Sequence, residues 1–212
     1  GTEIEFPDYS YFKGIYLFPV EDIKPFIFKN IRFTGDFKMN NLEVVNEYDF
    51  YESIFDGIFE GIKIKNIGND AFENSKFTGD FNCPNLQTVG NYAFYLSKFT
   101  GDFNCPNLTT IGDFAFRDSN FTGVFNCPNL TTVGYYAFRN SQFNGVFNCP
   151  NLTTVGYGAF ENSNFSGSLS LPACTAVGNN AFRNSTFDTI TIGANATLGT
   201  SCIGAHSTEF IN

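Results

Sequence analysis

The sequence predicts a repeat solenoid, mainly β, and three observations predict it. The run Phe-Thr-Gly-Asp-Phe-Asn-Cys-Pro-Asn-Leu that begins at Phe77 returns, with substitutions, at Phe99, Phe121 and Phe143, a spacing of 22 residues. The chain holds 28 Phe against one Met and no Trp, so its large apolar surface comes from one rigid residue type refilling a repeated slot. The register extends forward to Phe165 and Phe187 and backward to Phe55 and Phe33, and drifts towards both ends as capping repeats do. Residues 1–212 therefore read as one solenoid domain. Residues 1–32 form a worn N-terminal copy and cap that carries Tyr11, Ile15, Leu17, Val20, Ile23 and Phe28. Residues 33–186 form seven 22-residue repeats, and 187–212 a C-terminal strand and cap.

Each unit reads in order as strand, corner, short turn and return loop. Gly101, Phe103 and Cys105 alternate with Asp102 and Asn104, the period of two that marks a strand with one buried and one open face, and Pro106 ends it. Phe99, Phe103, Cys105, Leu108, Ile111, Ala115 and Phe116 stay apolar in neighbouring units and are expected to point inward. Gly112, repeated as Gly68, Gly90, Gly134, Gly156 and Gly178, suits a corner with positive φ. Asp-Phe-Ala-Phe then makes a single turn, of ordinary or 3₁₀ type. The few large side chains of one unit cannot offset the entropy of ordering its 22 residues, so units must stack. Stacking aligns the strands, and the expectation is about eight units forming one curved parallel sheet with the turns on the opposite side. In the last unit Ile190 and Ile192 fall where earlier units place Asp or Val and Asn. Burial favours a one-residue shift over leaving both wet.

The strand, the Pro and the following Leu-x-x-Val-Gly-x-x-Ala-Phe resemble the BspA-like class of leucine-rich repeats found in bacterial surface proteins. The matches run Leu86 to Phe94, Leu108 to Phe116, Leu130 to Phe138, Leu152 to Phe160 and, with Cys174 in the Leu slot, Cys174 to Phe182. Phe-Asn-Cys-Pro departs from the family's strand ending, which puts strand length in question. The resemblance implies a leucine-rich-repeat-like fold, secretion or surface display, and adhesion to host proteins or other cells. It carries no catalytic motif.

Composition narrows the partners. With a net charge of −9 and only 12 Lys plus Arg, nucleic acid is repelled and no basic run attracts an anionic membrane. No apolar stretch approaches the ~18 residues that span a bilayer, and no signal peptide is visible. The first residue is Gly, as expected of a segment that follows a removed leader or a trimmed expression tag. A monomer is expected.

Chemistry-bearing residues mostly follow the repeat. Cys83, Cys105, Cys127 and Cys149 form an inward column that cannot converge on zinc and packs reduced, so thiol titration should rise only on unfolding. Reduced packing is also the default for Cys174 and Cys202, a bridge between them being the alternative in an oxidising compartment. His206, the lone histidine, reads as a surface residue without triad partners, and the Ser residues recur at one structural position. No cofactor or metal is implied, and an enzyme is not expected. Asn-Leu-Thr at Asn107 and Asn129 belongs to the repeat and is no evidence of glycosylation.

The open sheet face carries the candidate ligand residues Asp80, Asp102, Asn104, Val124, Asn126, Val146 and Asn148. Asn82, Asn104, Asn126 and Asn148 are expected to bond rung to rung as an amide ladder. Beside them Asp36, Ile58, Asp80, Asp102, Val124, Val146, Ser168 and Ile190 run from acidic early to apolar later, with Asp80 and Asp102 read as solvated neighbours. The second choice is a turn-side aromatic strip, Tyr92, Phe114, Tyr135, Tyr136 and Tyr157, whose bland reading is half-burial under the next turn. The functional expectation is a protein-binding or adhesion module outside a bacterial cell. The alternative is a structural spacer that presents a neighbouring domain.

Overall fold

The computed structural model describes residues 11–13, 16–17, 28–39, 41–121, 123–203 and 208–211. It is a parallel β-solenoid without helices among those residues. Each 22-residue rung contributes short strands to separate ladders. The first ladder joins Tyr11–Lys13, Arg32–Thr34, Ile54–Asp56, Lys76–Phe77, Lys98–Phe99 and Asn120–Phe121. The second joins Tyr16–Leu17, Phe37–Lys38, Phe59–Glu60, Phe81–Asn82, Phe103–Asn104 and Phe125–Asn126. The third is the longest and runs from Val44–Val45 to Thr197–Leu198 in eight strands. Ser168–Leu171, Thr189–Gly193 and Thr208–Ile211 form a fourth.

The single sheet expected from the sequence is thus corrected to several. The Thr-Gly bend separates the first ladder from the second, and the Pro-Asn turn separates the second from the third, so most strands are two residues long. The corner glycines are corrected too. Gly112 and its equivalents Gly68, Gly90, Gly134, Gly156 and Gly178 are absent from the positive-φ residues, which instead include Tyr92, Phe114 and Tyr136 at 53° to 58°. The glycines serve another need: a Cβ on Gly112 would lie 2.8 Å from the carbonyl carbon of Gly90 in the preceding rung. Close rung approach, not left-handed backbone, excludes a side chain there.

The inward residues behave as expected. Phe99, Phe103, Cys105, Leu108, Ile111, Ala115 and Phe116 are all buried in one continuous core. Equivalent rings stack rung upon rung, Phe94 on Phe116 at 5.0 Å and Phe116 on Phe138 at 5.2 Å, while rings of different positions meet edge to face. This alternation satisfies the ring quadrupole in both directions. The last unit shifts as expected: Leu169 pairs with Ile190 and Leu171 with Ile192, and both isoleucines are buried.

All six cysteines are buried free thiols, Cys174 and Cys202 included. Burial pushes the Cys83, Cys105, Cys127 and Cys149 thiols well up. A thiol reagent added to native protein should therefore label none of these four within the time that labels all of them in denaturant. Rapid native labelling of the column would contradict its packing.

The serine column is structural. Ser75 and Ser97 donate to the carbonyls of Phe50 and Phe94 at 2.6 Å each. Among the described residues the buried hydroxyls of Ser141 and Ser163 have no partner, and they flank the rung from Phe143 to Pro150, which adds no strand to the first two ladders. There the stack loosens: a Cβ on Gly145 would meet nothing nearer than 3.8 Å.

Candidate functional site

The outward face of the second ladder holds a shallow concavity of about 440 Å³ lined by Ile58, Glu60, Asp80, Asn82, Asp102, Phe103, Asn104, Val124 and Asn126. Alternation along the strand creates it: Phe81, Phe103 and Phe125 turn inward, and their neighbours turn out. Of the sequence candidates, Asp80, Asp102, Asn104, Val124 and Asn126 line this hollow. Val146 and Asn148 stand exposed on the next, loosened rung and are not part of its lining. Val124 and Val146 are 52% and 55% exposed, the apolar end of the stripe.

The acidic end has a second task. Asp36 Oδ1 accepts the Ile58 N–H at 3.2 Å, Asp80 Oδ1 accepts that of Asp102 at 2.9 Å, and Asp102 Oδ1 accepts that of Val124 at 2.8 Å. Each carboxylate satisfies a backbone donor of the following rung with one oxygen, so Asp80 and Asp102 are more than solvated neighbours. The amide ladder expected at Asn82, Asn104, Asn126 and Asn148 does not form. Such bonds run instead on the turn side, where Asn162 Nδ2 donates to Asn140 Oδ1 at 3.0 Å and Asn184 Nδ2 to Asn162 Oδ1 at 3.1 Å. Left-handed φ at Asn140, Asn162 and Asn184 brings those amides into line, whereas strand residues point straight outward.

Ile58, which the sequence places in the outward stripe, and Glu60 also belong to the hollow, though neither is among the candidate ligand residues. The signal was present, since Ile58 precedes Asp80 and Glu60 precedes Asn82 by 22 residues. Glu60 lies 3.5 Å from Lys38, so the net acidity of the hollow rests on Asp80 and Asp102.

The aromatic strip is a continuous stack. Tyr92 lies on Phe114 at 4.7 Å, Phe114 on Tyr136 at 5.4 Å, and Tyr136 meets Tyr157 edge-on at 5.1 Å. Tyr92, Phe114 and Tyr136 are half-buried, the bland reading, while Tyr135 and Tyr157 are exposed. Arg117 lies over Phe114 and Arg139 over Tyr136.

The amides of the Asn-Leu-Thr asparagines serve the stack: Asn107 and Asn129 donate to the carbonyls of Pro84 and Pro106 at 2.8 and 3.0 Å. Among the described residues no group of three or more His, Cys, Asp or Glu is placed to hold a metal, and no helix is long and apolar enough to cross a membrane. His206 lies outside the described residues.

A stacked β-solenoid with a flat outer face, a shallow mixed hollow and stereotyped inward side chains defines a repeat scaffold of the kind that works through its surface. The BspA type leucine-rich repeat region matches this chain in six copies over residues 15–122 and 87–208. The chain belongs to the BspA-type leucine-rich repeat family. No curated protein matches it.

Proposed function

We propose that this chain is a non-enzymatic protein-binding module, displayed on the outside of a bacterial cell, that holds a host extracellular or cell-surface protein against its second-ladder face. The observation that carries the reading is the hollow itself, where Asp80 and Asp102 stand beside the exposed Val124. A rigid, hydrogen-bonded face loses little conformational entropy on association, and the mixed lining suits a Lys or Arg beside an aliphatic side chain. Family membership together with this face supports secretion and adhesion.

A spacer that presents a neighbouring domain is the second reading, favoured by the backbone bonds that Asp80 and Asp102 make. Substituting Val124→Glu and Val146→Glu should weaken capture of host extracellular proteins at least ~10-fold with thermal stability retained, since both side chains lie outside the core. The matched control is Tyr135→Ala with Tyr157→Ala. If only the control pair abolishes capture, the aromatic strip is the site; if neither pair matters, the spacer reading takes its place.

A further inference from the structure

One column on the turn side is self-complementary under reversal. At 22-residue spacing it reads Tyr51, Glu73, Tyr95, Arg117, Arg139, and the rungs are held in register: Glu52 N–H donates to Glu73 O, Asn74 N–H to Tyr95 O and Leu96 N–H to Arg117 O. From these positions we infer that the turn face binds a second copy of this chain, antiparallel, about a twofold axis through Tyr95 and Leu96. Rotation about that axis sets Glu73 of one copy against Arg117 of the other, and Tyr51 against Arg139. The first pairing is an ion pair; the second brings Arg139, already beside Glu161 at 3.2 Å and over Tyr136, to Tyr51, which already carries Lys29, so the Glu73 to Arg117 pair supplies the specificity. A second copy turned about this axis presents the same order reversed, which makes the contact isologous.

Three further observations support the assignment. Leu96 is 38% exposed at the axis, in a left-handed conformation (φ 56°) where the equivalent residues are Asn30, Glu52, Asn74, Asp118 and Asn140. An exposed leucine there forfeits burial and local polar bonds alike, and a second leucine across a twofold restores the burial. Glu73 has no cation within ion-pair distance among the described residues, and burial, then the adjacent Asp70, push its carboxyl up to about 7. Arg117 engages Asp118 through Nε at 3.0 Å, which leaves the outer guanidinium nitrogens to donate across the axis.

Five rungs at ~4.8 Å make the contact only ~24 Å long, and it is one or two side chains wide, so the interface is small and the dimer weak and salt-sensitive. It leaves both second-ladder faces open, and two such faces on one particle would bind a surface with avidity. This places a dimer where the sequence suggested a monomer.

Sedimentation velocity on the whole chain, from ~10 to ~500 µM at low and high salt, tests it. The wild type should dimerise at low salt. Glu73→Arg and Arg117→Glu should each weaken association about 10-fold or more, and the double variant should restore it. Leu96→Asn, which suits left-handed backbone and so keeps the fold, should weaken it as well. A wild type that stays monomeric throughout overturns the inference. So does a dimer that ignores these changes but yields to Val124→Glu with Val146→Glu, an outcome that would assign self-association to the second-ladder face.

Discussion

Replacing Phe116 by Ala should lower unfolding stability by about 3–5 kcal/mol, the range for a large buried aromatic. Its ring stacks on Phe94 and Phe138 and meets Phe103, Phe121 and Phe125 edge-on, so truncation leaves a cavity walled by stiff rings that cannot collapse into it. The loss has a second consequence in a quasi-one-dimensional stack. Each rung is stabilised through its neighbours, and a gap at mid-chain weakens the coupling between the two halves. The urea transition of Phe116→Ala should therefore broaden as well as move to lower denaturant. Tyr135→Ala, which removes a ring that is 58% exposed, should stay within about 0.5 kcal/mol of the wild type. A Phe116→Ala protein less than ~1 kcal/mol destabilised would mean that the ring column is not what binds the rungs.

Spacing made the solenoid legible, because a 22-residue return of Phe, Leu, Gly and Ala fixes which side chains share a column whatever the backbone does between them. Alternation around Phe103 likewise placed Asp102 and Asn104 outward, and five of the seven sheet-face candidates meet in one hollow for that reason. What spacing does not encode is how closely neighbouring rungs approach. That distance decides that Asp80 reaches the Asp102 amide, and that left-handed backbone falls on Tyr92 and Phe114 while the corner glycines keep ordinary φ. It also decides which asparagines can join. Asn104 and Asn126 are stacked neighbours just as Asn140 and Asn162 are, yet only the turn-side pair lies in line to bond. The failures share one cause, the geometry between a rung and the one beside it, which one unit's sequence cannot specify.

The same rung geometry separates two glycines that the sequence presents as equivalents. A Cβ on Gly101 would lie 2.5 Å from the Gly79 carbonyl carbon and 2.6 Å from the Asp80 nitrogen, both backbone, so Gly101→Ala must push neighbouring rungs apart and stretch their hydrogen bonds. Overpacking against atoms that cannot rotate away should cost about 3 kcal/mol, the upper end of the usual range. Gly145 holds the same repeat position two units later, but its nearest neighbours are 3.8 and 3.9 Å away and its φ is not in the left-handed region. Gly145→Ala meets only ordinary contact, and it narrows the unfolded ensemble, which should stabilise by about 0.4–1 kcal/mol. Urea midpoints for the two variants should therefore move in opposite directions from the wild type. Equal losses at both sites would show that the Phe143 to Pro150 rung, which carries Val146, packs as tightly as the others and is not loosened.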